Sequence, residues 1–194
     1  MRIKLSNYVI FCSFICCFHC VKAQSDKDQK QFIKASIGYG LSVPLDDEYS
    51  DIMGSGIYLQ GEYEYQVSQW FSASTYAGFI FTSLGDGTTN SVFEDYTVSS
   101  DAFLIGGKGR LSVPIPWFAP YLELGLGASF GKFETKIPDV IEEDSGLLVH
   151  IPYAIGVVLG PDHNVDVGFT YYVHPSVRQY SGALAIGCKF SIDN

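Results

Sequence analysis

Apolar and polar side chains alternate with a period of two along most of this chain. Between residues 121 and 131, for example, Leu122, Leu124 and Leu126 alternate with Glu123 and Gly125. Strict alternation over this length is typical of a β-strand with two chemically different faces, and it argues against a helix. Eight segments show the pattern with varying contrast: 32–43, 57–67, 71–82, 102–113, 121–131, 148–159, 165–174 and 182–192.

The connections between these segments alternate between long and short. Long polar stretches at 44–56, 83–101, 132–147 and 175–181 alternate with short ones at 68–70, 114–120 and 160–164. A tilted strand of about 10 to 12 residues spans roughly 25 Å, and outer-membrane barrels combine such strands with long extracellular loops and short periplasmic turns. The pattern predicts an all-β fold, an eight-stranded antiparallel up-and-down transmembrane β-barrel over residues 32–194.

Both tryptophans fall in the short connections. Trp70 and Trp117 are therefore expected at one membrane interface, where outer-membrane barrels carry an aromatic girdle. Phe32 and Phe190 lie at strand ends on the same side of the predicted barrel.

The first residues are organised like a secretory signal peptide. Arg2 and Lys4 precede an apolar run at 8–18, and the run is shorter than the about 20 residues that a spanning helix needs. We expect cleavage after Ala23, so that residues 1–23 are removed. A short lead at 24–31 would then precede the barrel.

Cysteines and charges are distributed unevenly. Four of the five cysteines (Cys12, Cys16, Cys17 and Cys20) lie in the predicted signal peptide, so Cys188 alone cannot form an internal disulfide in the exported part. A lipoprotein acylated at one of the first four is an alternative, but the small residues expected before the acylated cysteine are missing. The chain carries 21 acidic and 12 basic side chains, which argues against a nucleic-acid partner.

Two segments carry a family resemblance. Lys108-Gly109-Arg110-Leu111 together with Pro120-Tyr121-Leu122-Glu123-Leu124-Gly125-Leu126-Gly127-Ala128 resembles the middle hairpin of small bacterial outer-membrane barrels of the OmpA/OmpX/OmpW type. The last strand, Gly187-Cys188-Lys189-Phe190-Ser191-Ile192, is similar to the C-terminal signal read by the barrel-insertion machinery, although Ile192 replaces an aromatic residue and Asp193-Asn194 follow. The resemblance implies a barrel in a Gram-negative outer membrane. Such a barrel would lie among lipid and lipopolysaccharide and would be assembled by the barrel-insertion machinery. Its oligomeric state would be monomeric.

The polar faces of the predicted strands carry four acidic and four basic side chains. Charges inside a narrow barrel must be paired or wet, and eight strands enclose room only for side chains. We expect three cross-strand pairs, Lys34 with Glu64, Arg110 with Glu123, and Asp166 with Lys189. Such an interior argues against a general diffusion pore. A proton or ion path through the paired charges is the alternative hypothesis. The candidates are Lys34, Glu62, Glu64, Lys108, Arg110, Glu123, Asp166 and Lys189.

No motif predicts catalysis, a cofactor or a metal site. His174-Pro175-Ser176 resembles the His-x-Ser pair of outer-membrane lipid A deacylases, but the last predicted strand lacks the acid that would orient the histidine. Palmitoyl-transfer barrels use a loop histidine, and the first three predicted loops contain none. The glycines at 125–131 precede no helix, so they are not a dinucleotide fingerprint. We expect His150, His163 and His174 to lie far apart.

The acidic loops suggest a role at the cell surface. One hypothesis is that their carboxylates bind Ca²⁺ that bridges to lipopolysaccharide. The alternative is that these side chains only keep the loop tips solvated. We expect a non-enzymatic outer-membrane barrel with a structural role or with surface contacts through these loops. The alternatives are a narrow channel for small solutes, a lipid A-modifying enzyme and a soluble lipocalin-like barrel. The acidic residues are Asp46, Asp47, Glu48 and Asp51 in the first predicted loop and Asp139, Glu142, Glu143 and Asp144 in the third.

Overall fold

The chain forms a closed antiparallel β-barrel. The computed structural model describes residues 30–44, 53–84, 97–137, 140–177 and 179–192, so the predicted signal peptide lies outside the described residues. Each strand pairs with the next one and β8 pairs with β1. None of the described segments is a helix long and apolar enough to cross a membrane. The strands are β1 (Lys30–Pro44), β2 (Gly54–Gln66), β3 (Phe71–Leu84), β4 (Thr97–Ser112), β5 (Trp117–Ile137), β6 (Val140–Gly160), β7 (Val165–Val173) and β8 (Gln179–Ser191).

The barrel exposes apolar side chains and buries polar ones. On β5, Leu124 is 64% exposed, whereas its neighbour Glu123 is 5% exposed. On β1, Ile37 points outward and Lys34 is buried. A lipocalin-like barrel would have its apolar face inside, so this polarity rules out that alternative. It fits a barrel whose outer surface meets lipid.

The two ends of the barrel differ. The end formed by the connections 67–70, 113–116 and 161–164 is called the turn end below, and the opposite end the loop end. β5 begins at Trp117, inside the predicted connection 114–120, and Trp117 adopts a φ of 70°. β6 ends at Gly160 with a φ of 96°, a backbone conformation that glycine adopts without a steric cost.

Strands β5 and β6 are longer than the sequence pattern predicted. The prediction of a long loop at 132–147 was wrong, because most of these residues continue the two strands. The alternation persists there with inverted polarity: Lys132 points outward, whereas Phe133 is buried. The strand prediction required an apolar outer face, and that face ends at Phe130.

The longer strands form a sheet that extends beyond the loop end. Thr97, at the start of β4, lies opposite Lys136 of β5, and Ile137 lies opposite Val140 across the β5–β6 hairpin. The pairing of β6 with β7, in contrast, reaches only to Ile151. β4, β5 and β6 therefore continue together past the point where β7 ends.

Glycines on the inner face make room for tyrosines. A Cβ atom added to Gly168 on β7 or to Gly156 on β6 would contact the hydroxyl of Tyr121. A Cβ added to Gly127 on β5 would contact the hydroxyl of Tyr76. Glycine in a strand interior often marks such a close approach. These positions let large polar side chains cross a narrow lumen.

Candidate functional site in the barrel interior

Eight ionisable side chains fill the half of the lumen nearest the turn end. All of them point inward, and all are buried except Lys189, which is partly buried. Four carboxylates face four cations, so this ion layer has no net formal charge. Charges removed from water are tolerated when they are paired in this way. The layer consists of Lys34, Glu62, Glu64, Lys108, Arg110, Glu123, Asp166 and Lys189.

Lys108 links two carboxylates at the centre of the ion layer. Its Nζ lies 3.0 Å from Glu62 Oε1 and 2.7 Å from Glu123 Oε2. Glu62 Oε1 also lies 2.7 Å from the Nζ of Lys34, so one carboxylate oxygen serves two ammonium groups. These contacts connect β1, β2, β4 and β5 across the lumen.

Arg110 extends the layer to β7. Its Nη2 lies 2.6 Å from Glu123 Oε1 and 2.8 Å from Asp166 Oδ2. The guanidinium carbon lies 3.9 Å from the ring centroid of Tyr121, and the Tyr121 hydroxyl donates to Asp166 Oδ1 at 2.7 Å. The planar guanidinium thus combines ion pairs with stacking, which a lysine could not reproduce.

Two of the three predicted ion pairs are wrong. Arg110 does pair with Glu123, but Lys34 pairs with Glu62 and Asp166, and Lys189 pairs with Glu64 at 2.7 Å. Lys34 lies opposite Glu62 across the β1–β2 pair, not opposite Glu64. These partners depend on the register between neighbouring strands. Counting back from the predicted loops gives that register only approximately.

An aromatic layer lies next to the ion layer, on the side of the loop end. It consists of Tyr58, Tyr76, His150, Tyr172 and His174. The hydroxyls of Tyr58 and Tyr172 lie 2.8 Å apart, and Tyr172 donates to Gln60 Oε1 at 2.6 Å. Gln60 Nε2 in turn donates to Glu62 Oε1 at 2.8 Å. Hydrogen bonds therefore continue from the ion layer into the aromatic layer.

Two histidines meet in the aromatic layer, which the sequence analysis did not predict. Ser129 Oγ lies 2.7 Å from His150 Nδ1 and 2.8 Å from His174 Nε2. The Tyr76 hydroxyl lies 2.5 Å from His150 Nε2. The expectation that His150 and His174 lie far apart was wrong. The inward phase of β6 was the signal that could have placed His150 in the lumen.

A layer of hydroxyl groups closes the lumen near the loop end. Ser42 Oγ lies 2.6 Å from Thr82 Oγ1 and 2.8 Å from Ser100 Oγ. Ser100 Oγ lies 2.8 Å from Ser181 Oγ and receives a bond from Gln179 Nε2 at 2.6 Å. These side chains come from four different strands, β1, β3, β4 and β8, and are all buried.

A cavity of about 860 Å³ opens at the turn end. Glu64 and Arg110 of the ion layer are among its lining residues, together with Trp70. Both predicted interface tryptophans are well exposed at this end, Trp70 in the β2–β3 turn and Trp117 at the start of β5. Phe32 also lines the cavity and lies under Lys189, with 4.0 Å between the Nζ and the ring centroid.

The remaining motifs do not assemble into a reactive site. His174 is turned into the lumen towards Ser129, whereas Ser176 is exposed, so the two do not form a dyad. Within the described ranges, no group of three or more His, Cys, Asp or Glu side chains is placed to hold a metal ion. The acidic residues Asp46, Asp47, Glu48, Asp51 and Asp139 lie outside the described residues, as do the side chains of Glu142 and Glu143.

Comparison with known proteins shows a likeness in fold at low sequence identity. No family model matches the sequence, and no curated protein matches it. Among solved structures, Neisserial surface protein A is 12% identical with a TM-score of 0.58, and the alignment covers 84% of this chain and 97% of that protein. The chain has the fold of an eight-stranded outer-membrane β-barrel.

Two further barrels align at lower TM-scores. The N-terminal β-barrel domain of Pseudomonas aeruginosa OprF is 11% identical with a TM-score of 0.49, over 84% of this chain and 100% of that one. The attachment invasion locus protein Ail of Yersinia pestis is 20% identical with a TM-score of 0.47, over the same shares. Three of the four connections at the loop end are longer than the four-residue connections of the turn end; the exception joins β5 to β6. In outer-membrane barrels the longer connections face outside the cell, so we expect the turn end in the periplasm and the loop end outside.

Proposed function

We propose that the protein is a sealed, non-enzymatic outer-membrane barrel that supports the envelope and makes contacts at the cell surface. The observation that carries this proposal is the filled lumen. The ion layer, the aromatic layer and the hydroxyl layer follow one another from the turn end to the loop end. Each layer connects side chains from several strands by hydrogen bonds or ion pairs.

The energetics of the ion layer oppose an open pore. A path for hydrated ions would require Lys108 to leave Glu62 and Glu123, which it contacts at 3.0 and 2.7 Å. Breaking a buried pair so that one charge stays unpaired costs about 3–5 kcal/mol. An eight-stranded barrel also has room only for side chains, so a lumen of this size does not conduct without such a rearrangement.

The sheet beyond the loop end supports the surface role. The outer faces of β5 and β6 become polar there, as Lys132 and Glu134 show with an ion pair of 2.7 Å. Residues 140–150 of β6 pair with β5 on one side and, among the described residues, with no strand on the other. An unpaired strand edge is a template for the backbone of a partner. The acidic residues of the predicted loops would add negative charge near this edge.

A narrow channel is the second candidate. It is favoured by the cavity at the turn end, which already reaches Glu64 and Arg110. In this case the ion pairs would act as a gate. The aromatic layer and the hydroxyl layer would have to open together with the ion layer. The surroundings that we propose for either function are membrane lipid and lipopolysaccharide, after assembly by the barrel-insertion machinery.

Conductance in planar lipid bilayers tests the proposal. The purified folded protein should give no current steps across the bilayer. The Glu134→Gln variant, which changes an ion pair outside the lumen, should give none either. Reproducible steps from the wild type that change in Glu62→Gln and not in Glu134→Gln would show a gated channel and overturn the sealed barrel. Mass spectrometry of lipid A from cells with and without the protein tests the non-enzymatic part, which predicts identical species.

A further inference from the structure

The connection between β7 and β8 folds into the lumen at the loop end. His174 and Val177 are 2% and 6% exposed, whereas Pro175 and Ser176 between them are exposed. The Val177 N–H donates to the His174 carbonyl oxygen at 3.3 Å, which closes a turn. Val177 belongs to the same buried cluster as Phe133. The four residues, called the lid below, therefore cover the aromatic layer from outside.

A polar contact anchors the lid. His174 Nε2 lies 2.8 Å from Ser129 Oγ, and the His174 ring lies 4.5 Å from that of Phe133, between centroids. Ser129 Oγ lies 2.7 Å from His150 Nδ1, and His150 Nε2 lies 2.5 Å from the Tyr76 hydroxyl. The lid thus ends a hydrogen-bonded chain that starts on β3 and passes through β5 and β6.

The protons in this chain can be counted. Ser129 has one proton, so it donates to one imidazole and accepts an N–H from the other. When both histidines are neutral, every contact in the chain has one donor and one acceptor. When both are protonated, Ser129 faces two N–H donors, and its own proton has no acceptor within the chain. The Ser129 oxygen has two lone pairs and still accepts both N–H bonds, but two positive charges then lie on either side of one hydroxyl. Full protonation therefore destabilises the hydrogen-bonded chain that anchors the lid.

Among the described residues, none offers a compensating negative charge next to the two imidazoles. The titratable groups that face them are Tyr76 on β3 and Tyr172 on β7, whose ring lies 5.1 Å from that of His150 between centroids. Lys108 on β4 approaches Tyr76, with its Nζ 5.7 Å from the ring centroid, and is itself a cation. Neither imidazole forms an ion pair with a described residue. A positive charge buried here is costly because no described carboxylate offsets it.

We propose that the lid His174–Val177 is a pH-sensitive closure of the extracellular mouth. It is shut while both imidazoles are neutral, and it swings outward in acid, exposing the histidines of the aromatic layer on the β5–β6 side of the lumen, beside the hydroxyl layer. An imidazole in water takes up a proton near pH 6.5, so falling pH below about 6.5 favours the open form, in which the histidines are solvated. The ion layer still seals the barrel, so this device goes beyond the proposed function.

Cysteine accessibility measures the lid directly. In a Cys188→Ser background, Val177→Cys places a thiol on the buried side of the lid, and Ser176→Cys places one on its exposed side as the matched control. A membrane-impermeant maleimide labels both in folded protein in lipid vesicles. The ratio of the Val177→Cys rate to the Ser176→Cys rate removes the pH dependence of the thiol chemistry. We expect this ratio to rise by about tenfold or more between pH 7.5 and pH 4.5.

Two controls keep the test decisive. With His150→Gln and His174→Gln added, the ratio should not change with pH, because amides take up no proton in this range. If that variant does not fold, His174→Gln alone should reduce the pH response, because one of the two protons is lost. A constant ratio with both histidines present, or an equal rise without them, overturns the proposal. Loss of the folded gel band at the lower pH, which would indicate unfolding of the whole barrel, also overturns it.

Discussion

Lys34 on β1 and Lys189 on β8 lie directly opposite each other, yet each binds a different carboxylate of β2. Lys34 contacts Glu62 at 2.7 Å and Lys189 contacts Glu64 at 2.7 Å. Like charges at opposing positions destabilise a strand pair. The two glutamates therefore offset a repulsion at the β1–β8 seam, which is the pairing that closes the barrel.

The first prediction concerns Glu62, which serves two cations. Glu62→Gln should lower the free energy of unfolding by about 3–5 kcal/mol, because Lys34 and Lys108 lose a buried anionic partner. Urea-dependent folding into lipid vesicles, followed by tryptophan fluorescence, gives this difference.

Glu134→Gln is the matched control for this prediction. Glu134 also pairs with a lysine, at 2.7 Å, but on the outer face of the sheet beyond the loop end. It should change the free energy of unfolding by less than about 1 kcal/mol. Equal effects of the two substitutions would contradict the buried ion layer.

The second prediction concerns the space that Gly168 leaves for Tyr121. Gly168→Ala should lower the free energy of unfolding by about 1–3 kcal/mol, because the added methyl group contacts the Tyr121 hydroxyl. In a Tyr121→Phe background the same change should cost at least about 1 kcal/mol less. Additive effects in this double-mutant cycle would refute the contact. Gly61→Ala, on the outer face, should be close to neutral, because the added Cβ would come no closer than 3.9 Å to the Ala77 carbonyl oxygen.

The third prediction tests the strand extension that the sequence pattern missed. Phe133→Ala should lower the free energy of unfolding by about 3–5 kcal/mol, because it empties a buried position between the lid and the aromatic layer. The neighbouring Lys132→Ala, which faces outward, should stay within about 0.5 kcal/mol of the wild type. A flexible loop at 132–147 would instead make both substitutions neutral.

The fourth prediction places the two tryptophans at one depth in the bilayer. The single-tryptophan variants Trp70→Phe and Trp117→Phe should both be quenched more strongly by lipids brominated near the headgroup than by lipids brominated near the chain end. Strong quenching of either variant by aqueous acrylamide would contradict an interfacial position.

The period-two alternation was sufficient to predict the fold. It placed Leu124 outside and Glu123 inside without any knowledge of the partner strands, because side-chain direction in a strand depends only on phase. Phase does not determine register, and the pairing of Lys34 with Glu62 depends on register. A shift of two positions preserves the faces and changes every partner, which is why two of the three pairs were wrong.

Two other features were missed for different reasons. The extension of β5 was missed because its outer face becomes polar at Lys132, where an apolar face no longer gives an advantage. The contact of His150 and His174 with Ser129 was missed because it joins β5, β6 and the lid across the lumen. No local pattern reports such a contact, although the inward phase of each residue is consistent with it.

This chain forms a closed barrel, and we expect it to be stably folded in the outer membrane. Electrophoresis of unheated and boiled samples from isolated outer membranes tests it most directly, since a folded small barrel resists the detergent and migrates differently after boiling. We expect a heat-dependent shift in the outer-membrane fraction. A band in the soluble periplasmic fraction that migrates identically with and without boiling would contradict it.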